Sequence, residues 1–320
     1  MHSAHPLSRR ELLAAGSLGL AAAALGQCPD TVWASDDKIA DGYIDAHSHI
    51  WTRDVKAFPL AGSQTVDDLK PPSFTAEELI EMATSVGVSR VVLIGHGSYY
   101  KTDNSYLLDA ARRYPQRFRV VAIIDDTAAH PDKLMRELLP QRVTGFRISP
   151  GVRGKDAWLS GPGMASMWKT AADTGQSMCC LINPDDIPGV ARMCVKYPET
   201  PVVIDHFARV GVSGKIIDSE LDMLLSLAKY PRVRVKLSAY YALGKKQPPY
   251  TDLIPMIRKV VDAFGPERLM WASDAPYQVV PPHTYKASLE LARDHLTFLN
   301  ATERDCILRK TAEKTFYFDA

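Results

Sequence analysis

Short apolar segments alternate with longer amphipathic segments along most of the chain. Several of the apolar segments are nearly continuous in Val, Ile and Leu, which is typical of strands buried on both faces of a parallel sheet. The pattern predicts eight β-strands, which are Tyr43–Ala46, Arg90–Ile94, Phe118–Ile124, Gly145–Ile148, Ser177–Ile182, Val202–Asp205, Val233–Leu237 and Arg268–Ala272.

The amphipathic segments between and after these strands predict helices. Three of them end in a basic residue, a Tyr and a Pro, which places a cation at the helix C-terminus and then a residue that cannot continue the helix. The predicted helices are Thr75–Val86, Asn104–Arg113, Pro131–Leu139, Met164–Thr174, Ile187–Lys196, Ser219–Lys229, Thr251–Phe264, Tyr285–Leu296 and Thr302–Lys314.

Eight alternating β and α units indicate an α/β fold with a parallel sheet, and eight strands is the number that closes into a (β/α)₈ TIM barrel. An open, doubly wound sheet is the alternative. That fold commonly has a glycine-rich turn after its first strand, whereas here Asp45-Ala46-His47-Ser48-His49 follows. We therefore expect a barrel, and a single domain over residues 35–320.

The first 34 residues have a different pattern. Arg9 and Arg10 precede an apolar run, Leu12–Leu25, that is too short to span a bilayer comfortably, and Val32-Trp33-Ala34 resembles a cleavage site. We expect residues 1–34 to be a signal peptide of the twin-arginine type and the mature chain to be exported to the periplasm of a bacterium. A buried N-terminal helix is the alternative.

Composition narrows the classes of function. Hydrophobic residues make up 46% and charged residues 23% of the chain, so a large core can form. The formal net charge of +1 gives no reason to expect nucleic acid or, after signal cleavage, a membrane as partner. We expect a small-molecule substrate. The cysteines form no CxxC pair, which favours small buried side chains over disulfides.

Ionisable residues follow three of the predicted strands. In a barrel, catalytic residues lie where strands end. His47 and His49 end the first strand, and because strand residues alternate in direction, both should face the same way and grip one metal ion or one substrate oxygen. His206 follows the sixth strand and Asp274 the eighth. We expect these four side chains to converge at one mouth of the barrel.

Together these motifs resemble the amidohydrolase superfamily. More narrowly, the chain resembles the amidohydrolase-related family that contains 2-pyrone-4,6-dicarboxylate lactonase and the sugar lactonases acting on rhamnono- and fuconolactone. The resemblance covers about residues 42–318 and implies a barrel hydrolase. The segments that carry it are Ile44–Trp51, Gly145-Phe146-Arg147, Val203–His206, Val235-Lys236-Leu237-Ser238 and Arg268–Pro276.

The resemblance also implies roles for the four residues. His47 and His49 would be metal ligands or would polarise a carbonyl, and Asp274 would be the general base that activates water. His206 would be a further ligand or would orient other groups. All four are therefore catalytic candidates and, if a metal binds, its candidate ligands.

Two departures from the family pattern bear on the metal. Many relatives have a His at the end of strand 5, where this chain has Asn183, and strand 4 offers Arg147 in place of a metal-bridging Lys or Glu. A binuclear site is therefore not expected. One Zn²⁺ and no metal at all are both compatible with the remaining residues.

Further residues near the predicted mouth suit substrate binding. Arginine binds carboxylates through two parallel hydrogen bonds. Arg147 and Arg153 bracket the loop at the end of strand 4, and Arg209 lies three residues after His206. A histidine follows strand 2 and a pair of tyrosines, Tyr240-Tyr241, follows strand 7. The predicted substrate-binding residues are Arg147, Arg153, Arg209, His96 and Tyr240.

Three functions are compatible with this pattern. The first is hydrolysis of an ester-type bond in a lactone of a sugar acid or of a carboxylated compound, by water that Asp274 activates. The second is zinc-dependent, non-oxidative decarboxylation of an aromatic acid, which the missing strand 5 His disfavours. The third is a catalytically idle barrel that binds a ligand, which the intact set of His47, His49, His206 and Asp274 disfavours.

Overall fold

The structure is a computed structural model of the chain, and it describes residues 42–151 and 154–318. The predicted signal peptide and Arg153 lie outside these ranges. Within them, every helix is too short or too polar to cross a bilayer.

Eight parallel strands form a barrel in the order of the sequence. Each strand pairs with the next. Closure comes where the segment after the last strand meets the first: Asp274 N donates to His47 O and His49 N donates to Ala275 O, both at 2.8 Å. The predicted (β/α)₈ barrel is confirmed. The strands are β1 Tyr43–Ser48, β2 Val88–Ile94, β3 Phe118–Ala122, β4 Val143–Ile148, β5 Ser177–Cys180, β6 Val202–Ile204, β7 Val233–Leu237 and β8 Leu269–Trp271.

Helices separate the strands, and their starts follow local capping chemistry. The Thr75 hydroxyl accepts from Glu78 N at 3.2 Å while the Glu78 carboxylate accepts from Thr75 N, which satisfies two amide groups at the start of α1. The helices are α1 Ala76–Thr84, α2 Ser105–Arg113, α3 Pro131–Leu138, α4 Gly154–Ala157, α5 Pro162–Thr174, α6 Ile187–Lys196, α7 Asp218–Leu225, α8 Ile254–Phe264, α9 Tyr285–Glu290, α10 Ala301–Asp305 and α11 Thr311–Phe316.

The barrel has an inner and an outer core because alternate residues of each strand face opposite sides. The outer residues pack against the helices. The inner residues meet α11, whose Phe316 is fully buried and forms the floor of the barrel at the end where the strands begin. The inner strand residues are Ile44, Ala46, Val92, Ile94, Val121, Cys179, Val203, Met270 and Ala272.

The predicted elements differ from the observed ones mainly at their ends. Predicted strands 3 and 5 run two residues too far because apolar side chains continue past the last ladder hydrogen bond. Predicted strand 6 wrongly includes Asp205, which begins a 3₁₀ turn, and predicted strand 8 is one residue too long at each end. Predicted helix Ser219–Lys229 changes to a 3₁₀ turn after Leu225, and the segment after β4 contains the short helix α4. The four cysteines in the described ranges are free, three of them buried, as expected.

Candidate active site

Three side chains form a compact triangle at the mouth where the strands end. His47 Nε2 lies 3.4 Å from His49 Nε2 and 3.4 Å from Asp274 Oδ1, and His49 Nε2 lies 3.5 Å from the same oxygen. All three residues are at most 5% exposed. The structure therefore brings the end of β1 and the segment after β8 together, as expected from the position of these residues at the ends of predicted strands.

His206 completes the cluster from β6. Its ring centre lies 4.5 Å from that of His47, and its Nε2 lies 3.8 Å from Asp274 Oδ2. Its Nδ1 shares a 2.7 Å hydrogen bond with Ser238 Oγ at the end of β7, which fixes the orientation of the ring.

The residues that follow β6 and β8 have a backbone conformation that residues other than glycine rarely adopt. His206 has φ 53° and Asp274 has φ 62°, both in the left-handed region. Each such residue costs roughly 1–3 kcal/mol, and this strain concentrates at functional sites. The turns after β6 and β8 thus bring His206 and Asp274 together, with His206 Nε2 3.8 Å from Asp274 Oδ2.

His49 is held as one tautomer. Its Nδ1 lies 2.9 Å from the carbonyl oxygen of Ile94, which only accepts. Nδ1 therefore carries the hydrogen and donates, and Nε2 keeps a free lone pair that faces the triangle. This arrangement is common behind metal-binding imidazoles.

The two oxygens of Asp274 have different neighbours. Oδ1 faces His47 and His49, whereas Oδ2 accepts a 2.8 Å hydrogen bond from the Tyr241 hydroxyl. Burial alone would raise the pKa of Asp274, but His206, His49 and His47 hold it well below its usual value. Asp274 is therefore a carboxylate across the physiological pH range.

Burial keeps the imidazoles of His47, His96 and His206 neutral. Burial lowers the pKa of His206 to about 4 and that of His96 to about 3, against opposing attraction from Asp274. Burial and the cation of Lys236 hold the pKa of His47 well below its usual value. The carboxylate of Asp274 thus lies beside two uncharged rings, those of His47 and His206.

A buried ion pair lies directly beneath the triangle. Lys236 is fully buried on β7, and its Nζ lies 3.0 Å from Asp205 Oδ1 and 3.2 Å from His47 Nδ1. Arg147 Nε lies 3.8 Å from the other Asp205 oxygen. Burial would raise the pKa of Asp205, but Lys236, His47 and Arg147 hold it well below its usual value.

Asp45 braces the seam of the barrel from the outer side. It accepts hydrogen bonds from Ser273 N at 2.8 Å, Ser273 Oγ at 2.5 Å, Tyr285 OH at 2.8 Å and His47 N at 3.0 Å. Since Ser273 precedes Asp274, one carboxyl group sets the positions of both His47 and Asp274. Burial raises its pKa to about 6 in spite of these bonds.

The predicted substrate-binding residues lie in different surroundings. Arg209 borders a cavity of 410 Å³ between the segments that follow β4, β5 and β6, and its guanidinium bonds Asn183 Oδ1 at 3.3 Å. Arg147 points inward and is only 10% exposed. His96 lies beside His49, with ring centres 5.2 Å apart, and its Nε2 is 2.6 Å from Tyr277 OH.

Tyr240 is not brought to the mouth. It is fully buried, its ring packs near those of Phe207 and Tyr250, and its hydroxyl has no partner among the described residues. Its neighbour Tyr241 is the one that reaches Asp274.

The triangle has the dimensions of a zinc site. Donor atoms about 2.0–2.1 Å from a tetrahedral Zn²⁺ are about 3.3–3.4 Å apart. The three donor separations of 3.4, 3.4 and 3.5 Å match this spacing. His47, Asp205 and His206 form a second, overlapping donor set. The residues present therefore fit one metal ion.

Comparison with known proteins agrees with this geometry. A family model described as Amidohydrolase matches residues 44–318. The chain belongs to the amidohydrolase family. The match spans all eight strands and so includes every residue of the triangle and the ion pair beneath it.

Curated relatives of the amidohydrolase include several lactone hydrolases. An L-fucono-1,5-lactonase of Burkholderia ambifaria is 28% identical over 75% of this chain and 82% of its own length. A 4-sulfomuconolactone hydrolase of Rhizobium radiobacter is 25% identical over 75% and 77%. A 2-pyrone-4,6-dicarboxylate hydrolase of Comamonas testosteroni is 24% identical over 77% and 80%.

Solved structures share the fold. A probable 2-pyrone-4,6-dicarboxylic acid hydrolase of Acinetobacter baumannii, with citric acid bound, superposes with a TM-score of 0.72 at 22% identity, over 87% of this chain and 100% of that one. An amidohydrolase of Burkholderia multivorans with bound zinc superposes with a TM-score of 0.69 at 19% identity, over 87% and 99%.

Sequence reasoning missed the ion pair of Asp205 and Lys236. A signal was present, since Lys236 lies between the apolar residues Val235 and Leu237 and Asp205 directly follows the apolar strand β6. A charged residue that is fully buried is almost always paired, so two such residues on adjacent strands could have been assigned to each other. Ser238 and Tyr277 carried no comparable signal.

Proposed function

We propose that this amidohydrolase hydrolyses the ring ester of a small lactone that carries a carboxylate or another anionic or hydroxyl group. The observation that carries the proposal is the ionised Asp274, whose oxygens lie within 4 Å of ring nitrogens of His47, His49 and His206. A carboxylate in contact with hydrogen-bonding rings can orient a water molecule and receive its proton. The lactone hydrolases among the relatives support the reaction class.

The reaction balances without a redox partner. The oxygen of water bonds to the lactone carbonyl carbon while Asp274 takes its proton. The ring C–O bond then breaks, and the departing oxygen receives that proton to give an open hydroxy acid. Because the low pKa of Asp274 makes it a weak base, proton transfer should accompany the attack on the carbonyl and not precede it.

The imidazoles serve the carbonyl oxygen. His47 Nε2 and His206 Nε2 lie 3.4 and 3.8 Å from the two oxygens of Asp274, and an N–H group on either ring would stabilise the charge that develops on the oxygen of the attacked carbonyl. A zinc ion held by His47, His49 and Asp274 would add a Lewis acid at the same place.

Arg209 and Arg147 supply the positive charge for an anionic substituent. Arg209 borders the cavity that lies between the segments after β4, β5 and β6, so its guanidinium can contact a carboxylate of a substrate bound there. Arg147 is more deeply buried, and the carboxylate of Asp205, 3.8 Å away, already pairs with its guanidinium. We therefore expect Arg209 to act on substrate affinity more directly than Arg147.

The decisive experiment replaces the base. Asp274→Asn should reduce kcat by at least about 10³-fold, a loss of roughly 4 kcal/mol in transition-state stabilisation, while a non-reacting substrate analogue still binds. The matched control is Asp262→Asn, an exposed carboxylate on α8. A pH-indicator assay measures ring opening through the acid that it releases. The compounds tested are sugar lactones, carboxylated lactones and aromatic acids. An Asp274→Asn enzyme that retains turnover contradicts the proposal.

The same panel tests the substrate class. Arg209→Ala should raise KM for carboxylated lactones about tenfold or more and leave neutral sugar lactones nearly unaffected. Equal effects on both classes would assign Arg209 a structural role. Release of CO₂ from an aromatic acid without ring opening would favour the decarboxylase hypothesis instead.

A further inference from the structure

The ammonium of Lys236 occupies a position that controls His47. Its strand neighbours Val235 and Leu237 belong to the outer core, so Lys236 points into the barrel. The fully buried Nζ lies between His47 Nδ1 at 3.2 Å and Asp205 Oδ1 at 3.0 Å. The direct separation of His47 Nδ1 from Asp205 Oδ1 is longer, 3.5 Å.

These distances decide which nitrogen of His47 carries the hydrogen. An ammonium has three N–H donors and no acceptor, so His47 Nδ1 must accept from it. A neutral imidazole has only one hydrogen, which is then on Nε2. His49 is the opposite tautomer because its Nδ1 donates to Ile94 O. The 3.4 Å contact between the two Nε2 atoms thus joins one donor and one acceptor.

We propose that Lys236 fixes His47 as the Nε2–H tautomer, so that His47 faces the substrate as a hydrogen-bond donor, and that it thereby weakens metal binding at the triangle of His47, His49 and Asp274. A protonated nitrogen offers no lone pair to a metal ion, and a cation close behind the ring repels a second cation.

This role of Lys236 rests on the proposed function only where the Nε2–H group of His47 acts on a substrate. Pointed at the carbonyl oxygen, a preorganised donor stabilises the charge that forms during attack. Lys236 acts through His47 and is therefore a positioning residue. Its effect can be measured in the absence of any substrate.

The first test reads the tautomers directly. Long-range ¹H–¹⁵N spectra of protein labelled with ¹⁵N-histidine, assigned with His47→Gln and His49→Gln, distinguish the Nδ1–H form from the Nε2–H form. We expect His47 as Nε2–H and His49 as Nδ1–H. In Lys236→Met, His47 should change to Nδ1–H and donate to Asp205. A wild-type His47 in the Nδ1–H form would overturn the inference.

The second test measures zinc affinity by competition with a chelator. Outer-shell partners change metal affinity by about 10–100-fold, so Lys236→Met should bind Zn²⁺ at least about tenfold more tightly than the wild type. Lys259→Met, at an exposed lysine on α8, is the control and should leave the affinity unchanged. Unchanged affinity in a folded Lys236→Met protein would overturn the proposal.

A second variant covers the case in which Lys236→Met does not fold. Asp205→Asn combined with Lys236→Met removes both members of the buried pair, so that neither is left as an unpaired charge, while Arg147 loses its carboxylate neighbour and keeps its hydrogen bond to Gly95 O. It should also bind zinc more tightly than the wild type, and equal affinity again counts against the inference. Neither the tautomer of His47 nor the zinc affinity depends on turnover. A negative result in these two tests would therefore not contradict lactone hydrolysis, and an enzyme that fails to hydrolyse lactones would not contradict the role of Lys236.

Discussion

The buried carboxyl of Asp45 should make the stability of the barrel depend on pH in a specific direction. Its pKa is raised by burial from 3.8 to about 6. Since the folded state holds the proton more tightly than the unfolded state, this group favours folding below pH 3.8, and the contribution is lost as the pH rises through about 6. A shift of about two units corresponds to about 3 kcal/mol, roughly half of it between pH 5 and pH 8.

Asp45→Asn removes this titration and leaves the side chain nearly the same size. The amide cannot accept all the hydrogen bonds from Ser273 and Tyr285, so the variant should be less stable than the wild type at pH 5. Because the wild type loses stability as its carboxyl ionises and the variant does not, the difference should narrow by about 1.5 kcal/mol at pH 8.

Urea unfolding followed by tryptophan fluorescence at pH 5, 6, 7 and 8 measures this difference directly. Asp262→Asn, at an exposed position, is the control and should parallel the wild type at every pH. A stability difference between wild type and Asp45→Asn that stays constant or widens as the pH rises would refute the reasoning. It would mean that the hydrogen bonds compensate fully for burial of the charge.

Two further predictions concern the site and the floor of the barrel. Tyr241→Phe removes the hydroxyl that donates to Asp274 and should lower kcat about tenfold, whereas Tyr240→Phe, which removes a hydroxyl without a described partner, should have little effect in the same steady-state assay. Phe316→Ala empties the floor and should lower the free energy of unfolding by about 3–5 kcal/mol in denaturant titrations. A loss below 1 kcal/mol would show that Phe316 is not a core residue.

The sequence predicted the barrel well because the evidence for it is local. Runs of apolar residues separated by amphipathic segments reveal buried strands, and residues placed just after them must share one end of a parallel sheet. That argument correctly predicted that four side chains meet at one mouth of the barrel, namely those of His47, His49, His206 and Asp274. It could not distinguish Tyr240 from Tyr241, because the turn after β7 contains a left-handed residue, Ala239, that interrupts strand alternation.

Contacts between distant strands were harder to predict. Asp45 bonds Ser273, and Lys236 contacts His47, across separations of 228 and 189 residues. Such pairs depend on the register of strands whose ladders are irregular, as the shift between Asp45 and Ser48 shows. Strand ends were also misplaced, since hydrophobicity does not reveal the last ladder hydrogen bond.

The floor of the barrel has a consequence for biosynthesis. Phe316 and Tyr317 close the end where the strands begin, and the Tyr317 hydroxyl bonds Val91 O and Arg117 O at 2.9 Å. Strand β1 likewise forms its hydrogen bonds across the seam only when Asp274 and Ala275, which follow β8, are present. Chains emerge at about 5–20 residues per second, N-terminus first, so a chain that has been made only to residue 270 has an open seam, and one that has been made to residue 300 still has an open floor. Folding to the native barrel can therefore finish only after Tyr317 has been made.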